Sequence, residues 1–198
     1  MAPERVSKKF RKLYGRCSRE IARYAEEDAL ASARLRKVVT IWERWSLLEQ
    51  EDLYCAALAK AGVKDKVVGK QALVLQTSVD ELEGAMSELE DAVEALRQMA
   101  KEGRNFVASE YRQAGGAGAP EGGRGEDRTL TIAATDYVDG LDAIFKMHEK
   151  SFKLKQAVYG EIKASKDVAE REDLLSYFVS PPCFDHKMVE SALARAKT

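Results

Sequence analysis

The chain has 198 residues, enough for one domain or for one domain with an extension. A charged fraction of 33%, an aromatic fraction of 8% and only four prolines favour helices over a β-sandwich, and a net charge of −1 points to no partner through bulk charge. Cys17, Cys55 and Cys183, spaced 38 and 128 apart, fit neither a disulfide framework nor a zinc motif, no apolar run approaches a membrane span, and the start lacks the apolar region of a secretory signal, so a soluble intracellular protein is expected.

In chain order, residues 1–23 come first, with eight basic groups against Glu4 and Glu20. A solvated helix face accounts for such a run. The cluster Lys8, Lys9, Phe10, Arg11, Lys12 also fits a nuclear-localisation signal or a nucleic-acid patch. A transit peptide fits less well, because the basic stretch reads straight into helix. From Arg19 to Ala61 the apolar residues Tyr24, Ala31, Leu35, Val38, Trp42 and Trp45 keep a three/four spacing, which predicts a long helix. Gly62 then reads as a left-handed glycine closing that helix, and a short turn there folds the next helix back antiparallel.

That next helix, capped by Asp65 and running to about Tyr111, carries the strongest pattern in the chain. Leu75, Val79, Leu82, Met86, Leu89, Val93, Leu96 and Ala100 follow one another in steps of four and three, the spacing of helices packed along a common seam. Ser78, Ala85, Ala92 and Met99 broaden the stripe on one side, which suits a bundle of three or more helices. The same seam is a candidate partner interface at Leu82, Met86, Leu89 and Val93. Trp42 and Trp45, a turn apart, are the other interface candidates, because large rigid aromatics dominate interface energies; the domain's own core is the competing place for them. Residues 75–102 hold eight acidic groups against Arg97 and Lys101.

Gln113 to Thr129 holds six of the 13 glycines and hardly an apolar side chain larger than alanine, so a flexible linker is expected. A third helix is predicted from about Asp136 to Ser165, capped by Thr135 or Asp136, with Val138, Leu141, Phe145, His148, Phe152 and Tyr159 on its inner face. Leu174 to Val179 is a short apolar segment stopped by Pro181 and Pro182, and Asp185 caps a last helix bearing Met188, Val189, Ala192 and Leu193. The expected layout is a basic extension at 1–18, a helical hairpin at 19–112, the linker at 113–129 and a C-terminal helical segment at 130–198 that packs on the hairpin. The fold class is all-α, an elongated antiparallel bundle, coiled-coil-like, with a flexible Gly-rich insert.

The search for chemistry is negative. Gly62 to Lys70 has six residues between its glycines where a phosphate loop has four, and Gln71 stands where a magnesium-binding hydroxyl is needed. His148 and His186 have no ligand partner at metal spacing, and no nucleophile beside a base can be named. Neither a catalytic residue nor a cofactor is expected.

The order of Trp42-Glu43, an acidic heptad helix, a low-complexity gap, His148-Glu149-Lys150 with Phe152, Leu154-Lys155 and Glu161-Ile162, then Leu175-Ser176-Tyr177-Phe178 and Val189-Glu190-Ser191, resembles the cyclin-dependent kinase 2-interacting protein family. The resemblance spans residues 34–195 and is clearest over 137–193; Ser180-Pro181-Pro182-Cys183 departs from it, where a tryptophan and a longer link are expected. It implies a noncatalytic helical adaptor that pairs with another small helical protein in a hetero-oligomer. It implies as well an AAA ATPase complex acting on pre-60S ribosomal particles and replication assemblies, a link to a cyclin-dependent kinase, and a nuclear location with a cytoplasmic share. Two other functions stay open on the residues alone. One is a nucleic-acid-binding regulator working through Lys8, Lys9, Arg11 and Lys12; the other is a cytoskeletal or vesicle-tethering coiled-coil subunit.

Overall fold

The computed structural model describes residues 3–48, 62–115, 125–165 and 167–195. Among these it forms five helices and no strand: α1 (Pro3–Leu48), α2 (Val63–Gly115), α3 (Gly125–Ala164), α4 (Val168–Val179) and α5 (His186–Arg195). The all-α expectation holds.

Local chemistry sets the helix ends. Pro3 opens α1, where a missing N–H removes no helical bond. Gly62, immediately before α2, has φ +64°, the left-handed conformation expected of it; the residues it was expected to cap, 49–61, lie outside the described residues. The Asp167 carboxylate accepts from the Ala169 N–H at 2.9 Å and caps α4, a signal the sequence pattern did not pick out. Asp185 caps α5 as expected, accepting from the Met188 N–H at 3.2 Å.

Helix extends further than the pattern predicts. Residues 3–18, expected as a separate basic extension, are the first turns of α1, and Val6, Phe10, Leu13, Tyr14 and Cys17 are buried there. Their period of three and four was masked by the charges interleaved between them. The expected linker 113–129 loses both ends to helix, with α2 reaching Gly115 and α3 starting at Gly125; 116–124 lie outside the described residues.

The described chain divides into two compact units. The first takes its residues from Met1–Tyr24, Glu90–Lys153 and Cys183–Thr198. Its core is Phe10, Leu13, Tyr14, Leu96, Met99, Val138, Leu141, Ile144 and their neighbours. Phe10, fully buried, stacks on Tyr137 with ring centroids 5.1 Å apart and meets Phe106 edge-on at 6.0 Å. Here α2 runs antiparallel to both α1 and α3. Arg5 pairs with Glu110 while Arg16 pairs with Glu102, and Arg104 pairs with Asp142 while Arg97 pairs with Glu149.

The second unit takes its residues from Ala25–Leu89 and Leu154–Pro182. Ala31, Leu35, Val38, Leu82, Ala85, Leu89, Ile162 and Phe178 are buried in it, and Arg34 pairs with Glu81 and Lys163 with Glu83 at its surface. Each unit buries its own share of the α2 seam, Leu82 to Leu89 in this one and Val93 to Ala100 in the other.

Two glycines of the chain respond oppositely to a methyl group. A Cβ on Gly140 would stand 2.2 Å from the Tyr14 hydroxyl, which is held by its bond to the Tyr137 carbonyl at 2.8 Å, whereas a Cβ on Gly84 meets nothing within 4 Å. Gly84→Ala is expected to raise stability by up to about 1 kcal/mol through helix propensity. Gly140→Ala is expected to lower it by about 1–2 kcal/mol, because overpacking exceeds the same propensity gain. Urea unfolding of the two variants checks both signs.

Candidate functional site

The four seam residues read as interface candidates, Leu82, Met86, Leu89 and Val93, lie in the chain's own interior, with Leu82 and Leu89 at 0% exposure. Their burial by the chain itself fits the bundle-core reading of the seam rather than the partner-interface one. The cause is the number of helices available: α1 and α3 continue alongside α2 over these positions and supply the partners that a single seam lacks.

Burial fades toward the start of the seam. Leu75 and Val79 are only half-buried, as are Val67, Val68 and Val74 before them, and Leu73 is 69% exposed. On α1 the tryptophans share that character. Trp42 and Trp45 are half-buried, and Leu47 after them is 51% exposed. The Arg171 guanidinium lies over the Trp42 ring at 5.5 Å from its centroid, a cation–π contact that holds one face of the indole. Of the exposed large apolar side chains among the described residues, the most open, Leu73, lies in the first turns of α2, and Leu47 lies at the end of α1, while Leu30, Tyr111, Val168 and Tyr177 lie elsewhere.

The same unit has an unusual lock. Lys155 has 0% side-chain exposure, its ammonium lies 2.6 Å from the Asp28 carboxylate, and it donates to the Phe178 carbonyl while standing over the Phe178 ring at 4.5 Å. Burial pushes the Asp28 carboxyl above its ordinary range; the hydrogen bond and charge of Lys155 pull it down without cancelling that rise. Lys155 thus ties α1, α3 and α4 together. Beside α4, Arg36, Leu175, Tyr177, Val179 and Pro182 line an open groove of about 490 Å³, in which Ser176 spends its hydroxyl on the Asp173 carbonyl at 2.6 Å.

In the first unit His148 sits fully buried. Its ring meets Tyr24 and Phe184 edge-on, both at 4.9 Å, and its Nδ1 lies 2.8 Å from the Ile144 carbonyl, so the neutral ring donates from Nδ1. Nε2 is buried with no hydrogen-bond partner. Burial holds His148 below the ordinary imidazole range, and His186 adds to the effect. With the Asp185 N–H donating to the Met147 sulfur at 3.0 Å, this cluster fastens the start of α5 to α3. It has the geometry of a packed core histidine. Cys17 is equally inert, because burial pushes its thiol up to about 12.

The basic candidates part company. Lys8, Arg11 and Lys12 are exposed, whereas Lys9 pairs with Glu102, and Phe10 between them is buried, so the five residues form no continuous surface patch. Gly69 and Lys70 lie inside α2 and form no phosphate loop. Among the described residues no group of His, Cys, Asp and Glu is placed to hold a metal ion, and no helix is long and apolar enough to cross a membrane.

A family model described as CA109-like, ribosome biogenesis protein C1orf109-like, matches residues 4–197. No curated protein and no solved structure matches. The matched family carries a different name from the one that the motif order resembles, and the two readings meet in ribosome biogenesis.

The His148 cluster predicts a pH dependence. A histidine whose folded pKa lies below its unfolded value favours the fold when neutral, so its contribution is present above about pH 6.5 and is lost as pH falls below that. Melting temperature is expected to drop between about pH 7.5 and 5.5, with a slope of at most about 1.4 kcal/mol per pH unit from one proton. His148→Phe should flatten that slope. Thermal melts of the two proteins across this range check it.

Proposed function

The chain belongs to the CA109-like family of ribosome biogenesis proteins, and from that premise we propose that it serves ribosome biogenesis as a noncatalytic helical adaptor. In this reading the adaptor pairs with a second helical protein, and the pair joins an AAA ATPase that remodels pre-60S particles in the nucleus. A contribution to replication complexes and a link to a cyclin-dependent kinase belong to the same reading, and both rest on the motif resemblance alone.

One observation supports it most. The chain closes its seam over Leu82 to Ala100 but leaves Leu73 on α2 and Leu47 on α1 largely open, with Trp42, Trp45, Leu75 and Val79 half-buried on the same two helices. Open leucines and two incompletely buried tryptophans are side chains of the kind that anchor interfaces. A partner helix docked near the end of α1 and the start of α2 would bury such side chains at roughly 25 cal/mol per Å² before the costs of association. The inert Cys17 and the packed His148 fit a subunit that contributes surface rather than chemistry.

Leu73→Asp tests the reading against Met86→Asp in an affinity purification read by mass spectrometry. The first substitution falls on an open position and should leave the melt within about 0.5 kcal/mol of the parent, while removing both the second helical protein and the ATPase from the purified set. The second falls in the interior and should unfold the chain. An ATPase retained by the folded Leu73→Asp protein places the interface elsewhere. A parent protein that brings down no AAA ATPase ends the adaptor reading.

A further inference from the structure

The eight cations of residues 5–23 fall into two sets that composition cannot separate. Arg5 pairs with Glu110, Lys9 and Arg16 pair with Glu102, and Arg23 pairs with Glu20 on its own helix. Lys8, Arg11, Lys12 and Arg19 are exposed and have no acidic partner among the described residues. Their spacing of three, four and eleven from Lys8 puts all four within about 100° around α1, opposite the side that buries Phe10, Leu13, Tyr14 and Cys17. Gly15 lies in the middle of this row, exposed, with nothing within 4 Å of where a Cβ would stand. From Lys8 to Arg19 the outer face thus carries cations, Gly15 and Ser18, and no large apolar side chain.

We propose that this outer face of α1 is a docking surface for the phosphate backbone of RNA. A row of four free cations spanning about 16 Å of helix is complementary to a polyanion and to little else. A membrane-surface helix needs bulky apolar residues beside its cations, and a protein hot spot needs an aromatic or aliphatic anchor; this face has neither. Gly15 leaves room for a backbone to approach the helix closely between Lys12 and Arg19. The family's description places the chain where RNA is the abundant polyanion. Contacts of this kind position an RNA without reading its sequence. The face lies outside the apolar surface invoked for the protein partner, so the two assignments fail separately.

The test is fluorescence anisotropy of the full chain with a labelled single-stranded RNA of roughly 20 nucleotides, between about 50 and 200 mM salt. Four phosphate contacts on a single strand predict a log–log salt slope of roughly −3. Lys8→Gln, Arg11→Gln, Lys12→Gln and Arg19→Gln together should weaken binding at least about tenfold and flatten the slope. The charge-matched control Lys101→Gln, Lys146→Gln, Lys150→Gln and Lys187→Gln, all at exposed positions elsewhere, should stay within about twofold. Should the fourfold variant fail to fold, Lys12→Glu alone carries the comparison, with a loss of affinity and a reduced slope as the supporting result. Equal losses from the two fourfold variants, salt-independent binding, or failure of RNA to bind overturns the proposal. So does binding of a poly-glutamate peptide or of phosphatidylserine vesicles with the same salt slope and the same sensitivity.

Discussion

A heptad stripe on one helix cannot be taken out of water by that helix, and this constraint organises the chain. From Leu82 to Ala100 the stripe on α2 is almost dry, because α1 and α3 flank it antiparallel and place Leu35, Val38, Leu141 and Ile144 among the buried side chains. Each fully buried leucine or isoleucine contributes about 1.5–3 kcal/mol relative to exposure, so a seam of this length dominates the stability of whatever it closes. Charge lies outside it. Arg97 and Arg104 reach from α2 to Glu149 and Asp142 on α3 at exposed or half-exposed positions, where ion pairs contribute register more than stability. Register is what a long seam needs, since a slip of one turn would still match leucine to leucine.

Lys155 is the exception that the seam argument does not cover. A lysine with no exposed side-chain surface is a large desolvation penalty, offset here by three contacts at once: the Asp28 carboxylate, the Phe178 carbonyl and the face of the Phe178 ring. Asp28 shows that the offset is incomplete, because burial raises its carboxyl despite the cation beside it. Breaking one partner of such a pair generally costs about 3–5 kcal/mol, more than removing the pair together. The arrangement therefore contributes specificity more than net stability. It accepts one placement of α4, the one that delivers the carbonyl at the end of that helix, and rejects the sliding that its own weak amphipathicity would permit.

How much of this was legible depended on whether a signal was local. The seam, the Gly62 turn, the Asp185 cap and the inner face of α3 were all readable, because three/four periodicity and capping chemistry act within a few residues. In residues 3–18 the basic residues between Val6, Phe10, Leu13 and Cys17 outweigh the period beneath them in the sequence pattern, although all belong to α1. For Leu82, Met86, Leu89 and Val93 the pattern alone leaves core and partner interface both open, and the burial seen favours the core. An a/d pattern says that a face will be covered and is silent on whether the covering helix belongs to the same chain. Lys155 was invisible, because its partners Asp28 and Phe178 stand 127 and 23 residues away.

Charge gives the same lesson with more consequence for function. A net of −1 conceals a basic first stretch and an acidic seam helix, and their opposition invites the reading that one simply neutralises the other. The structure divides that account. Glu102 alone takes up two cations, and its carboxyl is held below the ordinary range chiefly by the hydrogen bond from Lys9, with Arg16 adding to it, so part of the basic run is committed to joining α1 to α2. Helical periodicity then decides what remains. Residues that alternate in the sequence separate onto opposite sides of α1, and the cations left over share one side with no carboxylate in reach between Lys8 and Arg19. An uncommitted row of like charge on a rigid helix repels itself, which costs a fold something and contributes nothing to it. Its presence on a helix whose other side is fully employed in packing is therefore better explained by what lies outside the chain than by the chain's own stability.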